Sequence, residues 1–105
     1  MHSRLSLHEA LVEALGSRQV YFQPPESIKM RYPAIVYSLG NIQEFKANNK
    51  DYLLNPYYNV TLIDEDPDSD IVDEIKKLPY CRFDRFYVGD NLNHWVFVVY
   101  INKEN

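Results

Sequence analysis

Tyr57-Tyr58-Asn59-Val60-Thr61-Leu62-Ile63, then Asp64-Glu65-Asp66-Pro67-Asp68-Ser69-Asp70, then the apolar positions Ile71, Val72, Ile75 and Leu78 decide the fold class of this chain. The opening run is β-branched and aromatic, the composition of a strand. The closing apolar residues recur at helical spacing and stop before Pro79. Hardly any loop separates the two. The pattern predicts a strand over Tyr57–Ile63 and a helix at about Pro67–Leu78. Asp66 then serves as N-cap, Pro67 suits the first helical position, and Asp68 and Asp70 favour the positive end of the helix dipole, each by about 0.3–1 kcal/mol.

Upstream, Leu7, Ala10, Leu11, Ala14 and Leu15 form one helical stripe. Ser6 and Glu9 fit a capping box, and Gly16 follows the last stripe residue, so a helix is expected at about Ser6–Leu15. Val20-Tyr21-Phe22 is a short strand ended by Pro24-Pro25, which lack ladder donors. Pro33 opens another strand through Ala34–Leu39, and Gly40 is a candidate bulge. Lys46–Asp51 carries turn chemistry. Downstream, Tyr80–Val88 has mixed strand patterning and Gly89-Asp90-Asn91 signals a turn. His94–Ile101 is apolar on both faces, which predicts a strand covered on both sides by helices, a neighbouring sheet or a partner. The result is a single α+β domain over 1–105, of order α-β-β-β-α-β-β: a mainly antiparallel sheet with two helices packed on it.

Composition narrows the function. The chain has 105 residues, a net charge of −4 and nine tyrosines, whose apolar rings and polar tips suit surfaces buried on association as well as strands. Residues 1–50 carry +2 and residues 51–105 carry −6. An acidic chain with no basic cluster argues against specific nucleic-acid binding. No run approaches a membrane span, and no signal-peptide pattern opens the chain. The single cysteine, Cys81, excludes an internal disulfide and a cysteine-based metal site. These features fit a soluble protein made in a reducing cytosol.

The acid run is the one segment with the look of a chemical site. Asp64, Asp66, Asp68 and Asp70 alternate like the early ligands of a calcium loop, but Ser69 stands where the loop needs glycine and Ile75 where it needs a bidentate glutamate. Pro67-Asp68 with Glu74-Ile75-Lys76, and Glu44-Phe45-Lys46, superficially match a metal-dependent nuclease motif. A helix carrying both Asp68 and Glu74 turns them to different sides, so they cannot converge on an ion. No histidine pair has zinc-binding spacing, and no glycine-rich phosphate loop or nucleophile elbow occurs. His94 is expected to cap a strand, and Cys81 to be a small buried hydrophobe. Nothing here requires a cofactor or metal, and an enzyme is not expected. The candidate contact residues are instead Tyr52, Leu53 and Leu54, apolar neighbours in an expected connection, with Tyr57 and the acids Asp66, Asp68 and Asp70.

Tyr32-Pro33-Ala34-Ile35-Val36-Tyr37, Tyr58-Asn59-Val60-Thr61-Leu62-Ile63-Asp64 and Asp66-Pro67-Asp68-Ser69, each in its place in the element order, resemble the tail-terminator and tail-completion proteins of long-tailed phages and prophages. The resemblance implies a structural role. Such proteins form a ring, commonly a hexamer, that caps the tail tube, ends its growth and presents the surface for head attachment. The implied partners are other copies of the chain, the tail tube protein and the head–tail connector protein. The implied location is the tail or neck of a virion assembled in the host cytoplasm. Head–tail connector proteins are similar in size and form the nearest alternative. A small metal-dependent nuclease and a cytosolic adaptor domain are the others.

Overall fold

The computed structural model describes residues 3–40 and 56–101. Helix α1 spans Arg4–Leu15 and is followed by strands β1 (Val20–Phe22), β2 (Ala34–Leu39) and β3 (Tyr57–Asp64). Helix α2 (Ile71–Lys76) and strands β4 (Cys81–Gly89) and β5 (Leu92–Tyr100) complete the described fold. The strands form one sheet in the order β1-β2-β3-β5-β4. Every pairing is antiparallel except β1 with β2, which is parallel. The α+β class, the element order and the mainly antiparallel sheet are as expected from sequence. No described helix is long and apolar enough to cross a membrane.

The core lies between the helices and one face of the sheet. Leu7, Leu11 and Leu15 of α1 and Ile75 of α2 pack against Ile35, Tyr37, Val60, Leu62, Trp95, Phe97 and Val99. In β3 burial alternates residue by residue, with Tyr58, Val60, Leu62 and Asp64 inward. The period-2 pattern of a strand with one well-covered face is thus met along its whole length. β5 departs from alternation, as its composition predicts: all of Trp95–Val99 is buried, including Val96 and Val98 on the face away from the helices.

The path from β3 to β4 sets the topology. Both strands run antiparallel to β5, so they are parallel to each other with β5 between them. The segment β3–α2–β4 is therefore a split β-α-β unit whose gap is filled by the last strand. The β4–β5 hairpin closes through Asp90 and Asn91, at φ 55° and 63°. Positive φ at both central residues defines a type I′ turn, whose twist suits a tight hairpin. Gly89 is the final strand residue, paired with Leu92, rather than part of the turn.

Further local corrections concern α1, Gly40 and α2. α1 begins earlier, with Ser3 as N-cap accepting from the Ser6 N–H at 3.2 Å, so Ser6 is the donor and no capping box with Glu9 starts the helix. At the other end Gly16 takes the expected left-handed conformation, φ 84°. Gly40 ends β2 without a bulge; a Cβ there would collide with the ring of Tyr57, so the glycine allows a close aromatic contact. The third correction is α2, which is shorter than expected and begins after the acid run.

Candidate functional site

The acid run forms a chain of side-chain-capped turns rather than a helix start. The Asp66 N–H donates to Asp64 Oδ1 (3.1 Å), the Asp68 N–H to Asp66 Oδ1 (2.8 Å) and the Ile71 N–H to Ser69 Oγ (3.3 Å). Asp and Ser compete in this way with the helical backbone, satisfying N–H groups two residues ahead. Asp66 is therefore not the N-cap. Asp70 occupies that position without a side-chain cap bond, and the acids of the first helical turn are Asp73 and Glu74. Asn93 Nδ2 donates to the carbonyls of Asp64 (3.1 Å) and Glu65 (3.2 Å), tying the junction to β5. Asp66, Asp68 and Asp70 all project to solvent. Among the described residues no group of three or more His, Cys, Asp or Glu side chains is placed to hold a metal ion.

The other expected contact residues separate. Tyr52, Leu53 and Leu54 lie outside the described residues, as does Glu44 of the second nuclease-like motif. Tyr57 is half-buried, with its ring over Gly40 and 5.4 Å from that of Tyr100. His94 does not cap a strand; it lies within β5, stacked on Tyr87 at 4.5 Å and 9°. Cys81 is half-buried against the core, and burial pushes its thiol up to about 11.

A buried polar knot anchors α1 to the sheet. The Tyr37 hydroxyl lies 2.8 Å from His8 Nδ1 and accepts from Arg4 at 3.3 Å, while the Arg4 guanidinium sits 4.4 Å from the centre of the Phe22 ring. Burial raises the Tyr37 pKa, so the phenol stays neutral and able to bond. The Tyr37 hydroxyl thus joins two α1 side chains to the sheet, which marks the knot as structural. Between the helices, a small open cleft is lined by Ala10, Glu13, Ala14, Glu74, Lys77 and Leu78. Its lysine is already paired with Glu74 at 3.2 Å.

The surface that stands out is β4, an edge strand whose only partner among the described residues is β5. Its pairing with β5 shifts between Phe83 and Arg85, a bulge at Asp84. In regular strand geometry Phe83 and Phe86 would point to opposite faces; the extra residue returns both to the helix side. Phe83 then meets Phe97 edge-on at 5.7 Å and Phe86 meets Trp95 at 5.3 Å. α2 covers this row only in part, with Lys76 Nζ 5.9 Å from the centre of the Phe83 ring, and Phe83 stays 43% and Phe86 47% exposed. Val88 is exposed on the same face, Tyr87 on the opposite face where it stacks on His94, and Tyr80 just before the strand. Asp84 sits between Arg82 (3.9 Å) and Arg85 (2.6 Å), so part of the edge charge is neutralised within the strand.

Reasoning from sequence passed over this strand as merely mixed in pattern. The signal was present: two phenylalanines three positions apart in a strand require either a bulge or an exposed aromatic ring, and here both occur. No family model, curated protein or solved structure matches the chain.

Proposed function

We propose that this protein is a structural subunit that works as a homo-oligomer, in the manner of a phage tail terminator: a ring that caps the tail tube, ends its polymerisation and offers a surface for head attachment. The observation that carries the reading is β4, an open edge of nine residues with a row of exposed aromatic and aliphatic side chains. Such an edge is a template for pairing with another chain, and a contiguous apolar strip on it favours association. The resemblance of the Tyr32–Tyr37, Tyr58–Asp64 and Asp66–Ser69 segments supplies the kind of assembly. The exposed acids of the β3–α2 junction supply charge for choosing among partners.

The test is mass measurement of the full chain in solution, alone at rising concentration and with preassembled tail tubes of a long-tailed phage. The expected outcome is a closed oligomer, formed by the chain alone or at tube ends. A chain that stays monomeric in both settings overturns the reading.

A further inference from the structure

We infer that the partner of the β4 edge is the β1 edge of a second copy of this chain, joined so that the sheet continues from one subunit to the next. The inference rests on the homo-oligomeric reading above and names the surfaces that meet.

Three observations carry it. The first is strand direction. Among the described residues β4 and β1 are the two edges of the sheet, and the pairings between them make β4 antiparallel to β1. Lateral repetition of the subunit therefore brings the edges together as an antiparallel pair, the commoner ladder.

The second is register. Phe86 pairs with Trp95, Trp95 with Leu62, Leu62 with Ile35 and Ile35 with Val20, one row crossing the whole sheet. Extending that row sets Phe86 of one copy level with Val20 of the next. The Arg31 N–H donates to the Gln19 side chain, so Arg31 lies beside this point, and the exposed ring of Tyr32 follows it.

The third is charge. Strand β4 itself holds Arg82 and Arg85 against Asp84, whereas the acids of residues 56–101, nine Asp/Glu against four Lys/Arg, lie mainly in the β3–α2 segment. Residues 3–40, the half that ends in β1, hold three Asp/Glu against four Lys/Arg. A two-fold β4–β4 contact centred on Arg85 would oppose that residue to its own copy, which a head-to-tail contact avoids. Head-to-tail contacts are also the kind that close into rings. The bulge and the Arg82–Asp84–Arg85 charges discourage indiscriminate edge pairing and favour this one matched neighbour.

The test is complementation between two full-length variants, with their folding checked by circular dichroism. One carries Phe86→Asp on the β4 side, the other Lys29→Glu with Arg31→Glu on the β1 side. Each alone assembles at a concentration about thirtyfold or more above the wild type, the scale of one interface hot spot. An equal mixture forms dimers at wild-type concentrations, because each dimer retains one intact contact. Assembly of Phe86→Asp like the wild type, or a mixture no better than its components, overturns the inference while leaving the homo-oligomeric reading in place. Wild-type chains that never assemble overturn both. Cross-linking gives a second measurement that tolerates small losses of stability. In a Cys81→Ala background, Phe86→Cys and Arg31→Cys are expected to link only when mixed, and self-linking of Phe86→Cys alone overturns the proposal.

Discussion

β4 and β5 are the same length, share most of a ladder and are both rich in aromatic and aliphatic residues, yet one is exposed through its centre and the other buried through five consecutive residues. Their difference is one of position. β5 has a strand on each side and helices above it, whereas β4 has one neighbour among the described residues and is covered by α2 only near its start, around Cys81 and Phe83. Apolar content therefore gives a strand the capacity to be buried, and topology decides whether the fold itself uses that capacity or leaves it for a partner.

The contrast is broken most directly by truncating one ring on each strand. Phe97, fully buried, is expected to cost about 3–5 kcal/mol when changed to alanine, through lost transfer energy and an incompletely collapsed cavity. Phe86→Ala should cost about 1 kcal/mol in the monomer, the scale of its aromatic contact with Trp95. Urea denaturation in dilute solution measures both, and similar losses would mean that β4 is as well covered as β5.

The turn that joins the two strands is the next lever. Asn91→Ala should destabilise by about 1 kcal/mol, because alanine is poorly suited to positive φ, while Asn91→Gly should not. An alanine variant as stable as the glycine variant would remove the type I′ turn from the account.

The smallest effect sharpens the boundary along β4, where cover ends. Cys81 lies at the protected start of the strand and its thiol stays protonated near neutral pH. Alkylation should be slower than for a free thiol and should accelerate as pH rises towards about 11. Reaction at the free-thiol rate near neutral pH would place the start of β4 in open solvent with the rest of it.

Much of the scaffold was legible because its signals are local. Val20–Phe22 and Ala34–Leu39 matched their strands, and the alternation of Tyr57–Ile63 announced one covered face. The errors arose where one set of residues satisfies two local structures. Ser3 and Ser6 both qualify as caps, and an Asp-Pro-Asp-Ser run suits a helix start and a succession of turns equally well. The parallel pairing of β1 with β2 could not be read locally, because it depends on where the connection at residues 23–33 returns the chain. At the candidate site, Asp66, Asp68 and Asp70 were correctly placed at the surface, but their backbone role was misread. The aromatic row of β4 was hidden by its bulge, since one inserted residue destroys the alternation that reveals a face.

The insertion of β5 between β3 and β4 also imposes an order in time. During translation, β3, α2 and β4 leave the ribosome before the strand that unites them. Until β5 arrives, β4 has no strand beside it and β3 keeps one side open. The nascent chain thus passes through a stage with more unpaired strand than the finished fold, and this is when a neighbouring nascent chain can interfere most.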